Sequence, residues 1–277
     1  MRIGILGPEG TFSESAAITW LKRITLGTEA EIRYYDTIFD VSESLLRKDI
    51  DYGIVPIENS LEGSVGDTLD VLSSNMPIKI VGEILLPINI CLLARDRVNF
   101  SSIKKVVSHP HALAQCKQFI RKRLRAVEVK YTESTASAAA LAMQDEEVAA
   151  LASAEAARKY GLKILEEKVQ DKDSITRFVV LASPDLEMPS RTGSDKTSIL
   201  IYLKDRPGAL YDVLGEFAQR KINLTKIESR PSKKALGDYM FHIDCEGHIE
   251  DKEIREALKG VEKKVVMLKI LGSYPRA

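Results

Sequence analysis

The chain has 277 residues, of which 40 are basic and 40 acidic, so its formal net charge is zero. With 44% hydrophobic and 29% charged residues, it has the composition of a globular protein that is long enough for two domains. Zero net charge gives no general attraction to nucleic acid or to an anionic membrane, and no apolar run approaches the roughly 20 residues of a membrane span.

The three cysteines, Cys91, Cys116 and Cys245, are scattered along the chain without paired spacing. This distribution argues against a disulfide framework and against a structural zinc site. The N-terminus leads directly into a short apolar strand and not into a signal peptide. We therefore predict a cytoplasmic protein with no bound metal, and with neither nucleic acid nor a membrane as a partner.

The first predicted unit is a strand at 3–6, a glycine-containing turn and a helix. Thr11 and Glu14 have the spacing of a capping box, and Ser13 is a rival cap. Free N–H groups at a helix start bind anions, but there is neither a G-x-G-x-x-G motif nor a Walker lysine. A small carboxylate therefore suits this turn better than a nucleotide.

The strand predicted at 53–55 runs into the polar segment 56–67, which contains acids, an amide, hydroxyls and glycines. Such a segment at a strand exit is typical of a binding loop on a rigid scaffold. It is equally typical of a turn in which Asn59 and Ser60 cap a helix over 66–72. The residues alone leave both interpretations open.

A second series of strands and helices follows, and its alternation predicts mostly parallel sheets in both halves of the chain. Its expected elements are strands at 106–109, 127–131 and 148–151, with helices at 112–124, at 135–143 and up to residue 160. The strand predicted at 175–181 comes after this series and is expected to cross back to the first lobe. The pattern therefore predicts two α/β lobes with a cleft between them.

Ser108, His109, Pro110 and His111 admit several interpretations. Two histidines at i and i+2 on a strand share a face and could hold a metal, but no third ligand is near. A serine hydrolase would require a G-x-S-x-G elbow, which is missing. A polar binding loop that leads into the helix with Gln115 is the better interpretation.

Thr176 and Arg177 stand at the start of the apolar run 178–181, which predicts a buried strand. Open α/β sheets place ligands near strand ends, so these two side chains could face a cleft. The alternative is that Thr176 is a β-former and Arg177 a solvated surface charge.

The tail begins with a segment rich in proline, serine and glycine at 184–196, which indicates a linker. The pattern βαββαβ follows in residues 197–277 and predicts a ferredoxin-like domain. Such a domain could be regulatory, oligomerising or RNA-binding. The aromatic surface signature of RNA-recognition domains is absent.

Taken together, these segments resemble the prephenate dehydratase family over essentially the whole chain. The matching segments are Gly7-Pro-Glu-Gly-Thr-Phe-Ser13, Pro56-Ile-Glu-Asn-Ser60, Ser108-His-Pro through Gln115-Cys116, Glu133-Ser-Thr135 and Thr176-Arg-Phe178. The tail is similar to a phenylalanine-sensing ACT domain in its segments 208–214 and 228–231.

The resemblance implies an α/β fold, with a two-lobed catalytic domain like a periplasmic binding protein and a C-terminal ferredoxin-like ACT domain. We expect the catalytic domain at 1–183, with lobe one at about 1–82 and 170–183 and lobe two at about 83–169. The linker is expected at 184–196, and the ACT domain at 197–277.

Enzymes of this family convert prephenate to phenylpyruvate, with loss of water and carbon dioxide, in phenylalanine biosynthesis. Prephenate is a cyclohexadiene with two carboxylates and a ring hydroxyl. Aromatisation of the ring drives the reaction, so no metal, nucleotide or covalent nucleophile is needed. We therefore expect no cofactor.

By resemblance, Thr176 is the catalytic residue at the departing hydroxyl. A threonine hydroxyl is too weak an acid to protonate a leaving group by itself, so we assign it a hydrogen bond in the transition state or a proton relay. Asn59, Ser108 and Gln115 match family active-site positions and would orient the substrate.

The residues expected to bind the substrate are Arg177, Phe178, Thr11, Ser13, Glu58 and Ser60. Arg177 can hold one carboxylate with its planar fork, and the helix start near Thr11 and Ser13 can hold the other. Phe178 is expected to shape the wall of the pocket.

In the ACT domain, the turn at 208–210 offers free N–H groups to an amino-acid carboxylate. Glu228 or nearby carbonyls could accept the ammonium group, or Glu228 could hold the loop together with Arg230. The expected phenylalanine site consists of Pro207, Gly208, Ala209, Leu210, Asn223, Leu224, Glu228, Ser229 and Arg230. Because related enzymes bind inhibitory phenylalanine between the ACT domains of two subunits, we expect a homodimer or homotetramer.

Two alternatives to this function remain at this point. One is arogenate dehydratase, which acts on the amino analogue of prephenate. The other is an amino-acid sensor without catalytic activity, although an intact Thr176-Arg-Phe178 argues against it. No chorismate mutase segment precedes Met1, so a monofunctional enzyme is expected.

Overall fold

The computed structural model describes residues 1–24, 29–232 and 239–277. The strands in these ranges are β1 (Arg2–Leu6), β2 (Glu31–Tyr35), β3 (Tyr52–Asn59), β4 (Gly63–Ser64), β5 (Lys79–Ile88), β6 (Cys91–Ala94), β7 (Lys105–Ser108), β8 (Glu128–Tyr131), β9 (Val148–Ala152), β10 (Lys163–Glu166), β11 (Ser174–Ala182), β12 (Asp195–Tyr202), β13 (Leu224–Pro231), β14 (Tyr239–Glu246) and β15 (Met267–Pro275). The α-helices are α1 (Phe12–Ile24), α2 (Ile38–Leu46), α3 (Gly66–Ser73), α4 (Pro110–Gln115), α5 (Lys117–Arg123), α6 (Thr135–Gln144), α7 (Ala154–Tyr160), α8 (Ala209–Ala218) and α9 (Lys252–Glu262). Of the helices in the described ranges, none has both the length and the apolar character that crossing a bilayer requires.

The sheet of the first lobe has the strand order β2-β1-β3-β11-β5, with β4 paired to β3. Strands β1, β2 and β3 are parallel, whereas β11 is antiparallel to both of its neighbours. Helix α1 packs on one face through Ala16, Ala17 and Trp20. Helices α2 and α3 cover the other face. The strand predicted to return from the second lobe is thus β11.

The sheet of the second lobe has the order β10-β6-β9-β7-β8. In the described part of this sheet, β7 is parallel to both of its neighbours, β8 and β9. The pairs β6–β9 and β6–β10 are antiparallel. Both sheets are therefore mixed, and the prediction of mostly parallel sheets is wrong. Apart from the short hairpin strand β4, the antiparallel pairings among the described strands of these two sheets all involve β5, β6, β10 or β11, the strands on either side of the two connections between the lobes. The predicted helix at 112–124 is also divided, since Cys116 leaves helical geometry between α4 and α5.

The C-terminal sheet has the order β13-β14-β12-β15, and α8 and α9 pack on one of its faces. This is the predicted ferredoxin-like arrangement. The opposite face lies against lobe one, where Leu200, Leu271 and Tyr274 join a core that contains Val179 and Leu181. Two sheets thus share one apolar layer.

Gly272 marks the closest approach between these two sheets. A Cβ atom at this position would lie 2.0 Å from the carbonyl oxygen of Ile80 in β5. Since a backbone carbonyl cannot move aside like a flexible side chain, only glycine lets β15 approach β5 so closely.

His242 of β14 is buried in the same interface, with Nε2 2.8 Å from the Ser73 hydroxyl of α3. Burial lowers the pKa of His242 to about 4, and the Asp244 carboxylate only partly opposes this shift. An unfolded histidine has a pKa of about 6.5. Folding therefore favours the neutral form of His242. The stability gained from this preference is complete above pH ~6.5, and it is lost as the pH falls towards 4.

We accordingly predict that His242→Gln reduces the acid sensitivity of the fold. When the pH is lowered from 7.5 to 5, the free energy of unfolding should fall in both proteins. The fall should be about 2 kcal/mol larger in the parent than in the variant. Urea unfolding of both proteins at the two pH values measures this difference. Equal losses in the two proteins would show that His242 does not carry this part of the acid response.

Candidate active site

A cavity of about 420 Å³ lies between the two lobes. Its volume falls in the range of small-molecule sites. Lobe one contributes the start of α1 and the ends of β3 and β11, while lobe two contributes α4 and the start of α6. The polar residues that line the cavity are Thr11, Ser13, Asn59, Glu62, His109, His111, Gln115, Glu133, Ser134, Thr135 and Thr176. Apolar walls are formed by Phe12, Ile88, Ile90 and Phe178, among others.

Thr176 and Asn59 face each other on the paired strands β11 and β3. The Asn59 Oδ1 atom accepts hydrogen bonds from the backbone N–H groups of Leu61 and Glu62, at 2.9 and 3.1 Å. These two donors fix the orientation of the amide, so Nδ2 points to Thr176 and donates to its Oγ1 at 2.9 Å. The Thr176 oxygen is therefore an acceptor from Asn59, and its own proton remains available to a ligand in the cavity.

Arg177 lies on the opposite face of β11 from this cavity. Side chains alternate along a strand, so Thr176 and Phe178 face the cavity and Arg177 cannot. Its guanidinium is 2.6 Å from Asp244 and 3.6 Å from Glu83, and the residue is 7% exposed. The prediction that Arg177 binds a substrate carboxylate is therefore wrong.

Glu58 is misassigned for the same reason. It pairs with Arg177 in the register of β3 and β11, and so it shares the face that is turned away from the cavity. Its carboxylate is 3.7 Å from the Arg177 guanidinium and 3.4 Å from Lys226 Nζ. The expected role of Glu58 in substrate binding is corrected to an ion pair with the C-terminal domain.

The two predicted serines also have structural partners outside the cavity. Ser108 is fully buried and its hydroxyl donates to the Leu151 carbonyl at 2.5 Å, which ties the end of β7 to β9. Ser60 accepts from the Ile175 N–H at 3.0 Å and so holds the end of β3 beside β11. Neither residue lines the cavity, so both expectations are corrected.

Two helix starts face the cavity from opposite lobes. Thr11 and Ser13 stand at the start of α1, although Thr11 Oγ1 donates to the Leu6 carbonyl and Glu14 accepts from the Gly10 N–H. The predicted Thr11–Glu14 capping box is therefore not formed. On the other side, Ser134 caps α6 by accepting from the Ser137 N–H at 2.9 Å. Both helix starts place positive dipole ends at the cavity.

Glu62 connects the lobes at the edge of the cavity. Its carboxylate is 3.1 Å from His111 Nδ1 and 3.4 Å from Gln115 Nε2, both on α4. The rings of His109 and His111 stack with centroids 5.1 Å apart. Burial lowers the pKa of His109, and the neighbouring His111 lowers it further.

The residue patterns give no individual site role to Glu62, His109, His111 or 133–135, although these residues lie in the candidate binding loop 56–67, in the polar binding loop before Gln115 and in a segment that matches the family. The polar loop at 56–67 and the two histidines were visible signals, and the position of Ser134 before the alanine-rich helix is a further signal that could have pointed to the cap of α6. Within the described residues, no cluster of three or more His, Cys, Asp and Glu side chains is arranged to hold a metal ion. No described lysine or arginine lines the cavity either, so a bound anion would rest on helix N–H groups, hydroxyls and histidine.

The C-terminal domain has a smaller cavity of about 180 Å³, lined by Ala209 and Leu210 among others. Pro207 and Gly208 form the turn before α8, in which Gly208 has a φ of +79°.

The predicted site residues on and before β13 have partners within the protein. Glu228 accepts from the Ser64 hydroxyl at 3.1 Å and lies 3.7 Å from Arg230, so its carboxylate faces lobe one. Leu224 and Ser229 pair with β14, and the Asn223 carbonyl accepts from the Glu246 N–H. The phenylalanine site remains a prediction.

Comparison with known proteins gives consistent matches along the chain. The sequence profile of the family described as prephenate dehydratase matches residues 3–186, and that of the ACT domain matches residues 197–263. A bifunctional chorismate mutase/prephenate dehydratase of Aquifex aeolicus is 46% identical over all of this chain and 74% of its own length. A prephenate dehydratase of Methanocaldococcus jannaschii is 43% identical over 97% of this chain and 96% of its own length.

A solved structure agrees with these matches. The prephenate dehydratase of Arthrobacter aurescens, crystallised in complex with L-Phe, superposes with a TM-score of 0.91 at 36% identity. The match covers 100% of this chain and 90% of that one. The similarity therefore extends over both the two lobes and the C-terminal domain.

Proposed function

Because the chain belongs to the prephenate dehydratase family, we propose that it converts prephenate to phenylpyruvate, carbon dioxide and water in the cavity between its lobes. The observation that carries this proposal is the Thr176 hydroxyl, which accepts from Asn59 and keeps its proton for a ligand. A dehydratase needs such a donor at the departing oxygen. A protein that only senses an amino acid does not.

The reaction can be followed from the charges and bonds of the substrate. The bond between the ring and its carboxylate breaks, and its electron pair enters the ring as carbon dioxide leaves. The carbon–oxygen bond on the far side of the ring then breaks with its electron pair on oxygen, which takes up one proton to become water. The ring is aromatic at the end of this sequence, which supplies the driving force.

The cavity offers a matching group for each part of the substrate. We assign the two substrate carboxylates to the helix starts at Thr11 and Ser134, and the ring to the apolar wall at Phe178. Thr176 donates a hydrogen bond to the oxygen on which negative charge develops. Since threonine is a weak acid, the transferred proton comes from a stronger one, and the titratable side chains at the cavity are Glu62, His109, His111 and Glu133.

The C-terminal domain suggests regulation by L-phenylalanine. Its ACT fold and the L-Phe complex of the Arthrobacter aurescens relative support this assignment. The proposal includes inhibition by phenylalanine, a homodimer or homotetramer that shares the effector site, and a cytoplasmic location. Sedimentation of the purified protein with and without phenylalanine tests the oligomeric part.

The deciding experiment is an assay of phenylpyruvate formation from prephenate, with and without phenylalanine, beside the same assay with arogenate. We expect turnover of prephenate that phenylalanine suppresses. Turnover of arogenate alone would move the assignment to arogenate dehydratase. Binding of phenylalanine without turnover of either substrate would favour the sensor, and equal rates with and without phenylalanine would remove the regulatory part.

A further inference from the structure

Four buried charged side chains meet between the sheet of lobe one and the C-terminal sheet. Arg177 lies on β11 and Glu83 on β5 of the sheet of lobe one, whereas Asp244 lies on β14 and Lys196 on β12 of the C-terminal sheet. Arg177 Nη2 is 2.6 Å from Asp244 Oδ2, and Lys196 Nζ is 2.7 Å from Glu83 Oε2. The exposed fraction of the side chain is 9% for Arg177, 2% for Glu83, 5% for Asp244 and 8% for Lys196. We refer to these four residues as the interdomain ion cluster.

The partners of Asp244 make this cluster rigid. Its second oxygen, Oδ1, accepts from the Ser198 hydroxyl at 2.6 Å, and Ser198 lies 2.7 Å from the Tyr274 hydroxyl. Burial by itself would lower the pKa of the Arg177 guanidinium, but the Asp244 and Glu83 carboxylates raise it above its ordinary value. Arg177 is thus held as a cation between two carboxylates from different domains.

The position of Arg177 in β11 connects this cluster to the cavity. Its neighbours Thr176 and Phe178 both line the cavity from the other face of the strand. Between Arg177 and Phe178 the register of β11 against β3 shifts, so the ladder on that side is irregular at this point. On its other side β11 pairs with β5 in continuous register from Ser174 to Val180, so at this point the backbone of β11 is held regularly by one neighbour only. The guanidinium on the back face supplies a second restraint there.

We propose that Arg177 is a positioning residue, through which Asp244 of the C-terminal domain sets the place of the Thr176 hydroxyl in the cavity. The inference rests on the proposed function for its kinetic test, because Thr176 is the donor to the departing oxygen. It assigns the C-terminal sheet a part in catalysis even when no effector is bound. A purely structural cluster would join the domains without influencing the reaction.

Asp244→Asn separates these two possibilities. The amide keeps the shape of the side chain and can still accept from Ser198, but it no longer neutralises Arg177. Because displacement of a reacting group by about 1 Å can cost ~10²-fold in rate, we expect kcat to fall by about 10- to 100-fold. KM should stay within about threefold, since no substrate-binding group has been removed. Asp244→Glu retains the charge and should recover part of kcat.

Glu216 provides the matched control. It is a buried carboxylate of the same domain, 8% exposed, and its partners Arg220 and Lys264 lie on the helix-covered face, away from β11. Glu216→Gln should lower the melting temperature of the protein as Asp244→Asn does, but leave kcat unchanged. Circular dichroism at the assay temperature establishes that each variant is folded.

A second readout does not depend on turnover. The ¹³C-methyl resonance of Thr176, assigned by its loss in Thr176→Val, reports the surroundings of that side chain. Asp244→Asn should shift this resonance and Glu216→Gln should not. A folded Asp244→Asn protein with the parent's kcat and the parent's Thr176 resonance would overturn the inference. If the parent shows no turnover, the proposed function fails, whereas the resonance still decides whether Asp244 positions Thr176.

Discussion

Thr176→Ala should lower kcat by about 10²- to 10³-fold, which is the usual effect of removing one preorganised hydrogen-bond donor at a developing oxyanion. The structure gives the reason for placing the effect in kcat. Because Asn59 Nδ2 donates to the Thr176 oxygen, the Thr176 proton is not used in this hydrogen bond and can be donated to a ligand in the cavity. The charge on the departing oxygen develops only in the transition state, so substrate binding should change little and KM should stay within a few-fold.

Two matched variants identify the hydroxyl as the source of this effect. Thr176→Val keeps the β-branched shape on β11 and should be as inactive as the alanine variant. Thr176→Ser keeps the donor and should retain a substantial part of kcat. Steady-state kinetics of the three proteins with prephenate measure the pattern. A loss confined to KM would assign Thr176 to binding and would contradict the catalytic role.

The fold class could be read from the sequence because each local signal agreed with the others. Alternating strands and helices indicated two α/β lobes, and the βαββαβ order indicated the C-terminal domain. Strand directions were predicted less well. The strands β5, β6, β10 and β11, which flank the connections between the lobes, each run antiparallel to at least one neighbour. This could not be predicted, because the alternation of strands and helices along the sequence does not show beside which strand a returning strand pairs.

The errors at Arg177 and Glu58 could have been avoided from the sequence. Adjacent residues of a strand face opposite sides, so Thr176 and Arg177 could not both line one cavity. The same period of two separates Asn59 from Glu58 on β3. Ser108 is a different case, because the position of its acceptor, the Leu151 carbonyl, depends on how β7 and β9 pair.

The remaining site residues depend on how the lobes and domains are placed. Glu62 and His111 are 49 positions apart in sequence and meet only because lobe one and lobe two close over the cavity. Asp244 lies inside the predicted C-terminal domain as a charge of a kind that is unusual in a buried sheet. Lys196 falls at the end of the predicted linker 184–196, whereas β12 already begins at Asp195. The sequence did not show that Arg177 and Glu83 are their partners.

Asn59→Asp should reduce kcat by at least ~10²-fold, although the change replaces only an NH₂ group by oxygen. One carboxylate oxygen can still accept from the Leu61 and Glu62 N–H groups, as Oδ1 of Asn59 does. The other oxygen is now an acceptor where Nδ2 was a donor, so Thr176 must turn its proton towards residue 59. The donor at the departing oxygen is thereby lost, with a cost like that of removing Thr176 itself.

Ser60→Ala is the control for this change at the neighbouring position. Ser60 holds the same strand end through the Ile175 N–H, so its loss should cost about 1 kcal/mol of stability and leave kcat nearly unchanged. The Asn59→Asp variant has a further signature, because protonation of the new carboxylate restores a donor to Thr176. The ratio of its kcat to that of the parent should therefore rise as the pH is lowered. If the ratio is close to one at neutral pH, or does not change with pH, then the direction of the Asn59–Thr176 hydrogen bond does not control the reaction.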